Sequence, residues 1–389
     1  MNNINKEIDN DYNYLLNLRR YFHAHPEVAL KEYETAKKIE CELDLIGVRH
    51  QRIGETGVLG IIEGKQKGKT ILLRSDIDAL PIKEETNLEY KSLNEGVMHA
   101  CGHDIHITSL IGAARYLVKH KDEFKGTVLL VFQQAEEIGF GAQEFIKAGV
   151  ANNVDRAIAF HIAPEVNVGD IVIKSGPIRS SVDYLRIEIR GKSSHIATPE
   201  SGVDATLIAA KTLVKLNDSS LFEAFNKDNF LLGFGSLHSG TSYNIVSDNA
   251  YIEGTLRAFD ESDRKNIKEL IDKIIKEIAS SFNAEAKLIT KDFTSVCIND
   301  INVCNELISS SKNVLIDEHI IADYPSAFIG DDFAEFTKLI PGVYILLGTK
   351  NDTNKATDCP LHNPLLEVDE ESILVASKIY VNYSLDYLK

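Results

Sequence analysis

Hydrophobic and polar residues follow two different periods along the first third of the chain, one helical and one extended. Apolar residues recur at helical spacing in three segments, Tyr14–Tyr21, Glu32–Leu45 and Thr108–Lys119. Short apolar runs with turn-forming flanks predict four buried strands, at Val58–Ile62, Thr70–Leu73, Thr127–Phe132 and Ala157–Phe160. Strands separated by helices favour a mostly parallel sheet with helices on both faces. The Asn-rich segment Met1–Asn13 is predicted to fray.

The pattern changes at about Arg179. Alternation of polar and apolar residues predicts strands at Tyr184–Ile189 and Ala250–Arg257, and two long helices are predicted at Asp204–Leu216 and Ser262–Phe282. A β-α-β-β-α order of this kind predicts an α+β module with helices on one face of its sheet. The α/β pattern then resumes.

After this module, a strand is predicted at Val343–Leu347 and a closing helix at Glu370–Leu388. The predicted fold class is therefore α/β, with a mostly parallel mixed sheet, helices on both of its faces and an inserted α+β domain. We place the main domain at residues 1–177 and 289–389, and the inserted domain at residues 178–288.

Charge and composition exclude several classes of protein. The chain of 389 residues has 58 Asp and Glu against 42 Lys and Arg, a net charge of −16. An acidic surface repels phosphate backbones and anionic lipid, so we expect neither nucleic acid nor membrane as a partner. No apolar run reaches the roughly 18 residues of a membrane span, and the first residues lack a secretory pattern, which predicts a cytoplasmic protein. Five dispersed cysteines do not fit a disulfide framework.

Potential metal ligands lie where predicted strands end, which is where open α/β sheets place their sites. Thiolate, imidazole and carboxylate are the ligands of zinc and its first-row neighbours. Five such side chains are Cys101, His103, Glu137, His161 and His362. They are too many for one four-coordinate structural zinc, but they suit two metals that share a bridging group and leave positions open for water.

Glu136 and Glu137 form a carboxylate pair just after a predicted strand. If the alternation of the strand continues, one side chain faces the metals and the other faces the substrate cleft. Glu137 would then be a metal ligand and Glu136 the general acid/base.

Two other classes stay open on these residues alone. Cys101 and His103 could be the nucleophile and base of a thiol hydrolase, although such dyads are usually assembled from distant segments. The chain could also be a non-catalytic metal-binding protein. Taken singly, each His, Cys or Glu is more often a core or surface residue than a ligand. Their coincidence at one sheet edge favours the metal site.

At these residues the sequence resembles the di-metal aminoacylase and carboxypeptidase family of metallopeptidases. The resemblance is to its amidohydrolase branch, which includes hippurate hydrolases, auxin-conjugate hydrolases, N-acyl-L-amino-acid amidohydrolases and N-acetyl-diaminopimelate deacetylases. It covers nearly the whole chain and is most specific in M-H-A-C-G-H-D at Met98 to Asp104. The other matching positions are Arg19-Arg20, His25-Pro26-Glu27, D-x-D-A-L-P at Asp76 to Pro81, Glu136-Glu137, His161, E-G-T-L-R at Glu253 to Arg257, G-D-D-F at Gly330 to Phe333, and His362.

The resemblance implies a catalytic domain interrupted by a smaller lid domain that also forms a homodimer. It implies two divalent metal ions per subunit (Zn, Mn, Co or Ni) and Glu136 as the proton shuttle, and it leads us to expect Asp78 and Asp104 beside the ligands. The residues matching the family's ligands are Cys101, as the bridging thiolate, His103, Glu137, His161 and His362.

The lid also carries matching residues. Ser194-His195-Ile196-Ala197 matches the lid motif, which implies that His195 polarises the scissile carbonyl in the site of the partner subunit. Asn244 and Arg257 match residues that hold the substrate carboxylate.

The function that this resemblance implies is metal-dependent hydrolysis of N-acyl (N-acetyl or N-aroyl) L-amino acids to a carboxylate and a free amino acid. The alternatives within the family are a dipeptidase or carboxypeptidase, and an N-acetyl-diaminopimelate deacetylase, which H-I-A-P-E at His161 to Glu165 resembles. A non-catalytic homologue is the alternative from a different class.

Four positions depart from the family pattern. Asp76 stands where the carboxypeptidase branch has His, which points away from general peptidases. Gln134 replaces a proline before the glutamate pair, Glu200 replaces a second lid histidine, and Ser247 replaces the proline of N-x-x-P. The last three bear on lid geometry and substrate preference rather than on the metal ligands.

Overall fold

The computed structural model describes residues 3–389. The helices are α1 (Asn3–Asn10), α2 (Tyr12–Ala24), α3 (Tyr33–Leu45), α4 (His103–Lys119), α5 (Gly141–Lys147), α6 (Ala205–Leu216), α7 (Glu261–Ser281), α8 (Ile301–Ser311), α9 (Ala334–Thr337) and α10 (Ser372–Tyr387). The strands are β1 (Arg49–Ile53), β2 (Gly57–Glu63), β3 (Thr70–Asp76), β4 (Thr127–Gln133), β5 (Arg156–Asn167), β6 (Ile171–Val172), β7 (Gly176–Arg179), β8 (Val182–Arg190), β9 (Ser194–His195), β10 (Phe230–Ser239), β11 (Ile245–Val246), β12 (Asn249–Ala258), β13 (Glu285–Thr294), β14 (Cys297–Asn299), β15 (Ile320–Ile321) and β16 (Gly342–Lys350).

These elements form two compact units. The first comprises the described residues up to Ile178, Cys297–Pro325 and Asp331–Lys389, and the second comprises Arg179–Val296 and Ser326–Gly330. None of the described helices combines the length and apolar character needed to cross a lipid bilayer.

The first unit is built on an eight-stranded mixed sheet in the order β1-β2-β4-β3-β5-β16-β6-β15. The central strands β4, β3, β5 and β16 are parallel, whereas β1 and β2 are antiparallel. Ile71 and Leu73 pack into one core together with α2, α4 and α10, and Leu72 packs into another with α5 and α9. Both faces of the sheet are thus covered by helices, which confirms the predicted fold class.

The N-terminal prediction is wrong for the residues that the structure describes. Met1 and Asn2 lie outside the described residues, but Asn3–Asn10 forms α1. Ile8 is only 2% exposed and belongs to the core of the first unit. Burial of this apolar face outweighs the low helix propensity of the asparagines, on which the prediction rested.

The second unit has a four-stranded antiparallel sheet in the order β10-β12-β8-β13. The inward residues of β8 alternate, as in Leu185 and Ile187, and they share a core with Ile208 of α6 and Ile271 of α7. The Asp204 side chain accepts hydrogen bonds from the Thr206 and Leu207 amides in the first turn of α6 and so fixes where this helix begins.

The second unit extends further along the chain than residue 288, where the sequence analysis divided the domains. Leu288 lies inside β13 and pairs with Ile187 of β8. Because β13 supplies an edge of the sheet, the order is β-α-β-β-α-β, and the first segment of the unit ends at Val296. Its first residue is Arg179, against 178 in the sequence analysis.

Candidate metal centre

Three neighbouring parallel strands deliver side chains to one edge of the sheet in the first unit. Asp76 ends β3, Glu136 and Glu137 follow the end of β4, and His161 lies within β5. Because β4, β3 and β5 are adjacent and parallel, their carboxyl ends meet at this edge.

The loop before α4 brings a thiol and an imidazole to the same edge. Gly102 separates Cys101 from His103 and has a φ of 75°, in the left-handed region that favours glycine. A Cβ atom at Gly102 would lie 2.3 Å from Ile162 Cδ1, so the tight approach of this loop to β5 requires glycine. The glycine therefore allows Cys101 and His103 to face the strand that carries His161.

All five predicted ligands belong to one connected cluster. Cys101 Sγ lies 3.4 Å from His161 Nε2, and His362 Nε2 lies 3.5 Å from Glu137 Oε2. His103 Nε2 lies 4.0 Å from Glu137 Oε1. Donor atoms of Cys101, His103 and His161 are mutually within 4.8 Å, as are those of Cys101, Glu137 and His362. Cys101 and Glu137 thus link the two groups of three.

His362 reaches the cluster through an unusual backbone conformation. Its φ is 62°, which few non-glycine residues adopt. Its backbone N–H donates a hydrogen bond to the Ala100 carbonyl at 2.8 Å, which ties this late loop to the loop of Cys101. Strained backbone held in this way is common at functional sites.

The donor atoms fit divalent cations. His103 Nδ1 bonds the Asp78 backbone oxygen at 2.8 Å, which directs Nε2 to the cluster. His161 Nδ1 likewise bonds the Ile162 carbonyl at 2.8 Å, which directs its Nε2 toward Cys101. Within the described part of the chain, the buried atoms His103 Nε2 and Glu137 Oε1 have no hydrogen-bond partner. Coordination to a metal would satisfy both.

The electrostatics of the cluster also favour a cation. Burial, and then the charge of Glu137, raise the pKa of the Cys101 thiol well above its ordinary value. Burial opposes the charged form of His103, but Asp76 and Asp78 beside it raise the pKa of its imidazole to about 10. A bound cation would instead stabilise the thiolate and the neutral imidazole, the forms in which these side chains coordinate.

Glu136 lies beside the cluster and is 8% exposed. Its carboxylate is within 4.8 Å of donor atoms of His103 and Glu137. Burial, and then the charges of Asp331 and Glu137, raise the pKa of the Glu136 carboxyl well above its ordinary value. A carboxyl group with raised proton affinity next to the ligands is suited to accept and release a proton.

Asp78 and Asp104 occupy different surroundings. Asp78 contacts two predicted ligands, since its backbone oxygen accepts from His103 and its Oδ2 accepts from the Glu137 backbone N–H at 3.0 Å. Asp104 Oδ2 instead lies 2.9 Å from Arg19 Nε and 2.7 Å from His23 Nδ1. Asp104 therefore ties the start of α4 to α2.

A group of buried residues next to the cluster was not predicted from the sequence. Arg74 contacts Asp76, Asp331 and Asp332, all fully or nearly fully buried. Asp76 Oδ1 lies 2.5 Å from His106 Nδ1. The one sequence signal for His106 is its spacing of three residues from His103, which places both on one face of α4. Asp331 and Asp332 were noted only as part of a matching motif.

The lid residues His195, Asn244 and Arg257 lie in the second unit. His195 is in β9 and pairs with Ile245 of β11, and the Asn244 backbone oxygen accepts from Ile196 N–H at 3.0 Å. Arg257 Nη1 donates to the Phe328 carbonyl at 2.5 Å. His195 and Asn244 are thus neighbours within this unit.

The comparisons with known proteins decide the family. Residues 72–386 match the model of peptidase family M20/M25/M40. The chain belongs to this family. It is a metallo-amidohydrolase of the amidohydrolase branch, as the resemblance implied.

The similar proteins cover almost the whole chain. It is 34% identical to the N-acetylcysteine deacetylase of Bacillus subtilis (strain 168), over 96% of this chain and 97% of that protein. It is 32% identical to the IAA-amino acid hydrolase ILR1-like 4 of Arabidopsis thaliana, over 97% of this chain and 86% of the relative. The thermostable carboxypeptidase 1 of Saccharolobus solfataricus is 35% identical, over 92% and 91%.

Among solved structures, the chain is similar to the YXEP protein of Bacillus subtilis, described as a dinuclear metal binding peptidase from the M20 family. The TM-score is 0.86, with 32% identity, and the match covers 98% of this chain and 99% of that chain.

Proposed function

We propose that this enzyme hydrolyses the amide bond of N-acyl L-amino acids and releases a carboxylate and a free amino acid. The observation that carries the proposal is the position of Glu136, buried within 4.8 Å of two predicted ligands of a five-donor cluster. Relatives named as an N-acetylcysteine deacetylase and an IAA-amino acid hydrolase support an N-acylated amino acid as the substrate.

Two divalent cations would be held by Cys101, His103, Glu137, His161 and His362. When bound, they supply Lewis acidity that polarises the scissile carbonyl and lowers the pKa of water. Thiolate and imidazole donors suit metals such as Zn and Ni, and the carboxylate suits Mn, so the proposed ions are Zn, Mn, Co or Ni.

Glu136 is the general acid/base of the proposed reaction. Its carboxylate takes a proton from the attacking water and delivers it to the nitrogen of the leaving amine. The raised pKa of Glu136 suits both steps, since a carboxyl group that binds a proton too weakly would not take it from water.

In the lid, we assign His195 to the developing oxyanion and Asn244 and Arg257 to the substrate carboxylate. A guanidinium and an amide both donate hydrogen bonds to a carboxylate. The adjacency of His195 and Asn244 in the second unit supports their action on the same substrate molecule.

The lid is also the proposed dimer interface, with a second copy of the chain as its occupant. Strand β10 is at an edge of its sheet and exposes Leu231 and Leu237. An open edge with apolar side chains is a template for pairing with another chain. Helix α6 adds the exposed Leu207 and Val214.

A substrate panel on metal-reconstituted enzyme tests the proposal. N-acetyl and N-benzoyl amino acids should be hydrolysed, and dipeptides and N-acetyl-diaminopimelate should be poorer substrates. Preference for dipeptides would favour the carboxypeptidase alternative, which the similarity to the thermostable carboxypeptidase 1 of Saccharolobus solfataricus supports. Hydrolysis that persists after chelation would indicate a thiol hydrolase, and inertness toward every compound would contradict the proposal.

A further inference from the structure

The loop that carries Asn244 is exposed, yet its ends are held by specific hydrogen bonds in the second unit. It runs from Gly240 to Asn244, between β10 and β11. Asn244 Oδ1 accepts from Ser242 Oγ at 2.7 Å, so the opposite, N–H₂ end of this amide is available to donate. A substrate carboxylate needs such a donor, and the donor is useful only if the loop holds it in place.

Ser247 follows this loop in the chain and is hydrogen-bonded to its first residue, Gly240. Its hydroxyl accepts hydrogen bonds from Gly240 N–H and from Ser239 Oγ, both at 3.1 Å, and donates to the Asn249 carbonyl at 2.8 Å. A hydroxyl offers one donor and two acceptor positions, so these contacts already use its full capacity, and the Asn249 N–H approaches the same oxygen at 3.4 Å. Ser247 is 8% exposed, and water cannot readily replace the lost bonds.

The same contacts extend to helix α6. Ser239 Oγ lies 2.8 Å from Thr206 Oγ1 in the first turn of this helix. The Ser247 carbonyl accepts from Ala205 N–H at 2.9 Å. A chain of three hydroxyls, from Thr206 through Ser239 to Ser247, therefore joins the loop to the capped start of α6.

We infer that Ser247 is a positioning residue that holds the Gly240–Asn244 loop so that Asn244 can bind the substrate carboxylate. Proline, which the family pattern places here, restricts the backbone through its ring but has no hydroxyl. Serine provides the restraint through hydrogen bonds instead. The inference rests on the proposed function only in the role that it gives to Asn244.

Hydrogen exchange tests the restraint without any substrate. In Ser247→Ala, the amides of Gly240 and Ile245, which donate hydrogen bonds at the two ends of the loop, should exchange about tenfold faster than in the wild type. Ser247→Thr keeps the hydroxyl and should exchange like the wild type. Ser280→Ala, at an exposed serine of α7, is the matched control and should leave this loop unchanged. Unchanged exchange in Ser247→Ala would overturn the inference, whether or not the enzyme accepts N-acyl amino acids.

Kinetics with an N-acetyl amino acid tests the link to Asn244. Ser247→Ala should raise KM about tenfold and change kcat by less than about twofold, since ground-state binding is weakened and the chemical step is not. Ser247→Thr should restore KM. In an Asn244→Ala background, Ser247→Ala should raise KM no further. An equal increase in both backgrounds would overturn the inference. An unchanged KM in Asn244→Ala alone would instead contradict the proposed function.

Discussion

Arg74 Nη1 lies 2.6 Å from Asp76 Oδ2, and neither side chain is exposed to solvent. The same guanidinium lies 3.0 Å from Asp332 Oδ1 and 3.2 Å from Asp331 Oδ1. Asp332 also accepts from Gln133 Nε2 at 2.7 Å. The buried Arg74 guanidinium thus joins the ends of β3 and β4 to the segment before α9, directly beside the predicted ligands.

Replacing Arg74 by Met should strongly destabilise the first unit. Three buried carboxylates would lose their common cation, and an uncompensated buried charge costs about 3–5 kcal/mol. Urea unfolding followed by circular dichroism measures this loss. Arg49→Met, which breaks an exposed pair with Glu63, is the control and should shift the midpoint little. Equal urea midpoints for the Arg74→Met and Arg49→Met variants would show that the buried Arg74 guanidinium is not needed for stability.

That the five proposed ligands lie close together could be predicted from the sequence, because residue type marks their chemistry and most of them lie at or near predicted strand ends. Cys101 and His103 stand two residues apart, and no other part of the structure is needed to suspect them. Arg74 and Asp331 could not be predicted in the same way. They are more than 250 positions apart, and the burial that makes them a pair exists only in the folded chain.

The helices and strands could likewise be predicted from the sequence only in part. Strongly periodic segments such as α7 and β8 were predicted to within a few residues. β13 was cut by the predicted boundary because its alternation is weak, and its place is fixed by pairing with β8. Helix α1 was not predicted because its asparagines have low helix propensity. Its two isoleucines, Ile4 and Ile8, pack against the core and stabilise the helix.

Protonation of His23 should make the free energy of unfolding depend on pH. Burial and Arg19 oppose its charged form, but hydrogen bonds to Asp104 and Glu84 raise the pKa of the His23 imidazole above its ordinary 6.5. The folded state holds this proton more tightly than the unfolded chain. The resulting stabilisation is therefore complete below about pH 6.5 and is lost as the pH rises through the raised pKa.

The measurement compares wild type with His23→Gln. The difference in urea midpoint should be largest near pH 6 and should shrink as the pH is raised toward 9. His238→Gln, in the second unit, controls for the loss of an imidazole. A difference that stays constant with pH would contradict the assigned titration.

Glu136→Gln should lower turnover by orders of magnitude and leave metal binding intact. The amide cannot accept the proton of water, and loss of a general acid/base lowers kcat by about 10²–10⁴. Steady-state kinetics and metal analysis by mass spectrometry should be made on the same sample. Glu63→Gln, on an exposed strand end, is the matched control. Full activity in metal-loaded Glu136→Gln would refute its role.

Cys101→Ser should lower the metal content after dialysis. Cys101 belongs to both groups of proposed ligands, and a serine hydroxyl is a far weaker ligand for soft and borderline metals. Metal per subunit and activity should fall together, and chelation of the wild type should reproduce the loss. Cys304→Ser removes an equally buried thiol that donates to the Lys174 carbonyl, and it should keep its metal. Retention of metal by Cys101→Ser would contradict its role as a ligand.

Leu231→Lys should convert the proposed dimer to a monomer. A charge on the open edge strand opposes pairing with a second copy. Sedimentation at micromolar concentration should give twice the chain mass of 43.3 kDa for the wild type and a single mass for the variant. Leu45→Lys, at an exposed leucine of the first unit, is the control and should remain dimeric. A monomeric wild type would exclude this interface.

Mixing two inactive variants tests whether His195 acts across that interface. In a dimer of His195→Ala with Glu136→Gln, one site has a native Glu136 in one protomer and a native His195 from the other. Random exchange of protomers makes about half of the dimers mixed, each with one competent site, so about a quarter of the wild-type activity should return. If His195 served its own subunit, each site would lack one group and the mixture would stay inactive. The dependence of the recovery on time should follow subunit exchange, which distinguishes it from residual activity in either parent.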